Sequence, residues 1–309
     1  MSDDIGAYAL EPGRVRRAFD RAAETYDSAA VLHAEVRENL LERLRLVTLV
    51  PRVVLDAGAG TGHGSRALKR RYSKALVVAL DSSRQMLKVA GRQQLWLRPF
   101  GRVCGDAGRL PLADGSVDLI VSNLMLQWCD PDAVFAEFRR VLKPSGLLSF
   151  SAFGPDTLRE LRSSWSQVDA RSHVHQFIDM HDLGDALVRH GFAAPVLDVE
   201  RFTLRYLDVR GVAADLKATG AHNATAGRAK GLTSPRQFAA MQAAYEHFRE
   251  DGRLPATYEV VFAHAWVPAD TGIPGARRDP QEGTSVSLEE IKRELRARAR
   301  VPADKAPEI

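Results

Sequence analysis

Asp56, Asp81 and Asp106 recur at even spacing along the chain, each beside small residues. The first opens Asp56-Ala57-Gly58-Ala59-Gly60-Thr61-Gly62, which reads as a turn from a strand into a helix. Glycines there let the backbone approach a ligand closely, and the start of the helix offers free amides. The run lacks GxxxxGK[ST], which excludes a Walker-A phosphate cradle. The dinucleotide form GxGxxG fails as well, because His63 stands where its last glycine would be. An aspartate just ahead of Gly58 suits a cationic ligand better than a pyrophosphate. Asp81, with Ser82 beside it, closes the next apolar run, where a carboxylate can hold both hydroxyls of a ribose. Asp106-Ala107 follow the third run, at the place of an adenine amino group, and Asn123 ends the fourth next to Ser122. One such aspartate could merely cap a helix. Four groups on the C-terminal edge of a sheet, with a glycine loop, make a ligand site.

That edge requires particular elements. RVVLDAGAGTGHG, ALVVALD, GRVCGDA, VDLIVSN and GLLSFSAF read as strands, and SRALKRRYS and SSRQMLKVAGR as helices, with Ser82 or Ser83 able to cap the latter. DPDAVFAEFRRVLKPSG is a helix opened by Asp130-Pro131 and closed before Pro144. This alternation predicts an α/β fold with a doubly wound, mostly parallel sheet. Ahead of it, Arg14 to Leu49 follows a helical pattern. Beyond Phe153 the rhythm breaks. PDTLRELRSSWSQVD reads as a helix with Pro155 near its first turn, and HDLGDALVRHGF as another with Gly191 as its left-handed terminator. The strands APVLDVERFTLRY and TYEVVFAHAWV predict an antiparallel edge pair, with a helical lid between them. The expected organisation is 1–49 as helices covering the site, 50–206 as core with substrate-side helices from 155, and 207–256 as lid. Residues 257–268 then form the late edge strand and 269–309 a flexible charged tail containing the helix SLEEIKRELRARAR.

The 309 residues, 45% hydrophobic and 27% charged, exclude a collagenous, low-complexity or wholly disordered chain. Two cysteines cannot build a disulfide framework or a four-thiolate zinc site. No apolar run is long enough to span a membrane, and MSDDIGAYALEPGR lacks the pattern of a signal peptide, so a cytoplasmic address is expected. The net charge of +4 is modest, but arginines cluster at 14–21 and basic residues at 66–74.

DAGAGTG, VVALDSSRQML, GDAGRLPLADGSVDLIVSN and EFRRVLKPSGLLSF occur in one order between residues 50 and 152. In this the chain resembles the S-adenosylmethionine-dependent methyltransferases. The resemblance implies a Rossmann-like, seven-stranded sheet with S-adenosyl-L-methionine as cofactor. It places the methionine moiety at Asp56 and Gly58, Gly60 and Gly62, the ribose at Asp81, and the adenine at Asp106-Ala107. Further stretches are similar to the malonyl-[acyl-carrier-protein] O-methyltransferases of biotin synthesis. These are FDRAAETYD at 19–27, SNLMLQWCDP at 122–131, FGPDTLRELRSSWSQVD…HVHQF at 153–177, DLKATGAHN…GR at 215–228 and TYEVVFAHAW at 257–266. Part of this is shared with a mitochondrial complex I assembly factor of the same superfamily, so an assembly factor or arginine hydroxylase is the alternative, beside a methyltransferase for another small acceptor.

By that resemblance the acceptor is the free carboxylate of a malonyl thioester on acyl carrier protein, or on coenzyme A. A carboxylate is already ionised at neutral pH and needs no base to attack a sulfonium methyl. The demand is for alignment, exclusion of water and one or two donors to the non-reacting oxygen. Candidates are Tyr26, placed to close over the methionine end, with His173, Lys217 and His222, and Arg228 in a glycine-flanked loop suited to a carboxylate. Gln127 and Trp128 stand at the pocket mouth, whereas Trp165 at leucine spacing reads as packing. His173, His175, Asp179 and His181 read as a polar loop rather than a metal site. Carrier protein is acidic, which gives Arg14, Arg16 and Arg17, or the 66–74 run, a use. Without an aromatic-interleaved basic stripe, nucleic acid is not expected.

Overall fold

Val54 and Leu55, Leu119 and Ile120, Leu147 and Leu148, and Val260 and Val261 are chain neighbours that belong to two different buried clusters. A strand turns successive side chains to opposite faces, so a run apolar at every position needs cover on both sides. The computed structural model describes residues 10–221, 233–269, 278–279 and 283–284, and it supplies that double cover. One face receives Val36 and Leu40 of a helix at Val31–Arg43 and Leu68 of a helix at His63–Arg71. The other receives Phe135 and Phe138 of Pro131–Val141 and Leu187 of Met180–Arg189.

In chain order the helices are α1 (Pro12–Ala22), α2 (Tyr26–Ala29), α3 (Val31–Arg43), α4 (His63–Arg71), α5 (Arg84–Arg92), α6 (Pro131–Val141), α7 (Arg159–Ser166), α8 (Met180–Arg189), α9 (Val209–Ala218) and α10 (Pro235–Tyr245). The strands are β1 (Val53–Ala57), β2 (Leu76–Asp81), β3 (Gly101–Cys104), β4 (Val117–Asn123), β5 (Leu142–Phe153), β6 (Ala193–Tyr206) and β7 (Leu254–Trp266). They form one seven-stranded sheet in the order β3-β2-β1-β4-β5-β7-β6. The first five pair in parallel, and β7 runs antiparallel to both β5 and β6. The expected doubly wound sheet with an antiparallel edge is therefore observed.

Local signals set several boundaries. Ser83, not Ser82, caps α5, its hydroxyl accepting the Met86 N–H at 3.1 Å. The Asp130 carboxylate accepts the Asp132 N–H and Pro131 opens α6. Gly191 takes φ +76 after α8, and the Phe192 N–H returns to the Leu187 carbonyl at 3.0 Å. One expectation is corrected: the helix read from Pro155 begins at Arg159. Glu259 of β7 accepts the Asp156 N–H at 2.7 Å, and the Leu158 N–H goes to the Thr257 carbonyl at 2.7 Å. These long-range bonds hold 156–158 against β7, where no local pattern could reveal them. The N-terminal stretch, read as helices, consists of α1, α2 and α3.

Within 207–256, α10 contributes Met241 and Tyr245 to a cluster with Trp165, Val209 and Leu254. Trp165 is thus packing, as its spacing implied. Residues 1–269 form one compact unit and 270–309 a second. In the second, a short antiparallel pair, β8 (Arg278–Asp279) and β9 (Gly283–Thr284), is described, and the expected SLEEIKRELRARAR helix lies outside the described residues.

Candidate functional site

β1 lies between β2 and β4, so the chain leaves it to opposite sides and opens a crevice at the strands' C-terminal ends. Gly58, Gly60 and Gly62, at the end of β1, all have positive φ. Their surroundings separate their roles. A Cβ on Gly58 would overlap Met125, and one on Gly62 would come within 2.8 Å of Ala90 Cβ. Gly62 therefore allows α4 to pack on α5 and does not line the crevice. A Cβ on Gly60 would meet nothing within 4 Å, so that glycine faces open space.

The Gly60 N–H donates to Asp81 Oδ2 at 2.8 Å and the Ser83 N–H to Oδ1 at 2.7 Å. Burial raises the Asp81 pKa and these two bonds oppose it. The carboxylate is pinned with lone pairs left for a diol. Asp56 is buried and accepts the Ser65 hydroxyl at 2.5 Å. Burial pushes its carboxyl up to about 6, against the Ser65 bond. A cation beside it would restore the charged form. Ala107, Met86 and Cys129 give apolar walls near Asp106, whose carboxylate accepts the Gly108 N–H. Ser82 lines the same wall.

Two adjoining cavities, of about 450 Å³ and 430 Å³, share Tyr26, His33, Gly58, Gly60 and Asn123. The second contains Asp56 and Thr61. The first runs from Asp81 and Asp106 to a chamber walled by Trp128, Phe153, Tyr206 and Tyr258. Asn123 joins β4 to its surroundings, accepting the Ser151 hydroxyl and donating to the His33 carbonyl. The Tyr26 hydroxyl stays neutral, since burial, Asp81 and Asp27 all raise its pKa.

Sequence reasoning missed the residues that hold the N-terminal helices in place. Asp20 accepts the Ser83 hydroxyl at 2.7 Å, and Asp27 the Thr61 hydroxyl at 2.6 Å. Both acids stand in FDRAAETYD, but Asp20 is on α1 and Asp27 on α2, so no single helical period marks them as a pair. His33 was missed because nothing local marks it.

The acceptor candidates fare unevenly. His173 stacks on Trp165 at 3.8 Å, bonds Asp169 through Nε2, and lines a small side cavity of about 60 Å³ with His175 rather than the main chamber. Lys217 is exposed and lines neither cavity; Asp215, Leu216 and Thr219 of the same segment do. His222 and Arg228 lie outside the described residues. Burial pushes the Cys129 thiol up to about 12, which leaves no thiolate for covalent chemistry. Among the described residues, no group of three His, Cys, Asp or Glu could hold a metal ion, and no helix is long and apolar enough to cross a membrane.

The methyltransferase domain family matches residues 55–150. The chain is 57% identical over 269 residues to the malonyl-[acyl-carrier protein] O-methyltransferase of Methylovorus sp. strain MP688, covering 85% of this chain and 91% of that protein. It is 54% identical over 272 residues to the protein of the same name from Laribacter hongkongensis, covering 85% and 92%. Among solved structures it resembles the YcgJ protein of Bacillus subtilis, with a TM-score of 0.55 at 16% identity over 75% of this chain and 98% of that one. This last likeness concerns the fold alone. With the crevice, the pinned carboxylate and relatives matched over nearly their whole length, the chain belongs to the malonyl-[acyl-carrier protein] O-methyltransferase family of S-adenosylmethionine-dependent enzymes.

Proposed function

We propose that this chain transfers a methyl group from S-adenosyl-L-methionine to the free carboxylate of a malonyl thioester carried by acyl carrier protein, forming the methyl ester that primes biotin-precursor synthesis. The reading is carried by the match to the curated relatives, which spans the acceptor side of the chain as well as its cofactor side.

The residues fit the cofactor. Asp81 offers acceptors to the ribose hydroxyls, Met86 and Ala107 line an apolar slot for the adenine, and Asp56 and the Gly58–Gly60 backbone suit the charged methionine end. Ser82, Asp106 and Asn123 complete the wall. The cofactor supplies a methyl group on a cationic sulfur. The chain must hold a carboxylate in line with that carbon and keep water out. Charge is annihilated as the two meet, so the weakly polar chamber of Trp128, Phe153 and Tyr258 favours the transition state over the separated ions. No base is needed, and Tyr26, held neutral, closes the methionine end without competing for the methyl. Arg228 is proposed to anchor the substrate from the segment beyond Ala221, and His173 and Lys217 act at most from outside the chamber.

Carrier protein is proposed to approach over α1. Arg16 lines the cavity mouth there and Arg17 is exposed nearby. In the 66–74 run, Lys69 and Arg71 are engaged with backbone carbonyls of Ala75 and Leu44. Nucleic acid and coenzyme A thioesters are the weaker partners. Purified protein given labelled cofactor and malonyl-carrier protein is expected to form a malonyl methyl ester, with a rate that falls as salt rises. Cofactor binding without transfer to any malonyl thioester would reject the assignment, as would failure to rescue a biotin-requiring strain lacking this step.

A further inference from the structure

His33 stands where the two cavities meet. It lines the one that contains Asp56 and Thr61 and also the one that ends at Phe153 and Tyr258. The ribose end of the proposed cofactor belongs to the first cavity and its methionine end to the second, so the sulfur joining them falls near this junction, on the side of the acceptor chamber. The Asn123 side chain donates to the His33 carbonyl at 3.1 Å, which fixes this turn of α3 on the C-terminal end of β4. The imidazole sits between Tyr26 and Phe153, with ring centroids 5.5 Å and 6.3 Å away.

The state of the ring follows from its surroundings. Burial, with Arg37 nearby, pushes its pKa down to about 4, so it is uncharged at neutral pH. Nδ1 is closed off and has no partner. A neutral imidazole carries one proton, and the nitrogen that holds it is set by what faces the other. A proton on Nδ1 would have no acceptor, whereas one on Nε2 can be given to a group in the cavities, which favours Nε2 as the donor. His175 has a similar unpartnered Nδ1, but it faces the small side cavity rather than the cofactor.

A neutral donor is the group this reaction calls for. A cation clamped tightly on the reacting carboxylate would stabilise the separated ions more than the transition state, in which that charge disappears, so an anchor such as Arg228 needs an uncharged donor beside it to turn the oxygens. An uncharged N–H orients the carboxylate without that penalty. We propose that His33 contacts the acceptor, donating from Nε2 to the non-reacting oxygen of the carboxylate and turning the other oxygen toward the methyl carbon. The oxygen that receives the methyl gives up its negative charge to the new C–O bond, the C–S bond breaks with its electrons going to sulfur, and no proton moves.

This rests on the proposed methylation of a malonyl carboxylate, and the test separates the two. The full chain and the variants His33→Phe and His33→Gln are assayed with malonyl-carrier protein, and binding of S-adenosylhomocysteine is measured by calorimetry. Phe keeps the ring volume and removes the donor, whereas Gln keeps an N–H. The expected result is a kcat lowered by about 10- to 100-fold in His33→Phe, the worth of one such bond, with homocysteine-analogue affinity within about twofold of wild type. His33→Gln recovers most of that loss. Wild-type turnover in His33→Phe would overturn the proposal. So would a parallel fall of turnover and cofactor affinity in both variants, which would make His33 a structural residue. A wild-type chain that forms no malonyl methyl ester would instead overturn the functional reading itself, and the proposal with it.

Discussion

The Thr61 hydroxyl donates to the Asp27 carboxylate at 2.6 Å, tying the segment after α1 to the glycine loop. His63 Nε2 lies 3.1 Å from the other oxygen of the same carboxylate. The helices that cover the crevice are therefore fastened to the loop that forms its floor. Asp27→Ala should release them. The carboxylate is about one-third exposed, which puts the loss at the low end for bonds to a charged group, about 1.5 kcal/mol or roughly tenfold in cofactor affinity. Calorimetry with S-adenosylhomocysteine measures it, and an unchanged dissociation constant would show that the N-terminal cover plays no part in binding.

Asp81 has both oxygens fixed by backbone donors and lines the first cavity, where it is proposed to take the ribose diol. Asp81→Ala is expected to cost about 1.5–3 kcal/mol of cofactor binding. The same substitution should leave affinity for ribose-free analogues almost untouched, a contrast that titration can read directly.

Gly58 and Gly60 share a positive φ but not a reason for it. Gly58→Ala drives a methyl into Met125 and should lower the unfolding free energy by about 1–3 kcal/mol. In Gly60→Ala only the left-handed backbone is strained, at about 1–2 kcal/mol, while the added methyl enters open cavity and opposes the ligand. Melting curves with and without cofactor should show a large loss of ligand-induced stabilisation for Gly60→Ala. Equal ligand-induced shifts in the wild type and Gly60→Ala would argue against this floor for the site.

Asp56 predicts a pH dependence. Its carboxyl holds a proton up to about pH 6 in the folded chain, against an ordinary value of 3.8. The folded state binds that proton more tightly than the unfolded one, so the group's contribution to stability falls as pH rises between those values. A cationic ligand favours the carboxylate, so cofactor binding should release a proton and strengthen with pH across the same window. Calorimetry at about pH 5 and about pH 7.5, in buffers of different ionisation enthalpy, reports the proton. Asp56→Asn should abolish its release.

Arg228→Ala is expected to impair methylation of the malonyl substrate while leaving cofactor affinity alone. Turnover equal to wild type would remove Arg228 as the carboxylate anchor.

The sheet was legible because a buried strand must be apolar on both faces, and VVALD, VDLIVS and LLSFSAF are. Its ligand edge was legible because polar residues end those same runs: Asp56, Asp81 and Asn123 stand where hydrophobic cover stops. The start of α7 was not, because Glu259, a hundred residues away in β7, takes the Asp156 N–H. Lys217 and His173 were both donor candidates in the chain, yet one is exposed on α9 and the other is engaged by Asp169 and Trp165.

By itself the sequence determined the alternation of elements, the glycine turn and the order of acids along one sheet edge, all of which depend on residues near one another in the chain. Which side chains share a wall depends on where separate helices land on the sheet. That is set by long-range packing and by bonds such as Asp20 to Ser83 and Asn123 to His33, whose partners lie far apart in sequence. The tertiary structure alone brought His33 and Tyr26 to the junction of the two cavities, and it alone assigned Gly62 to packing, Gly60 to the open crevice and Gly58 to both.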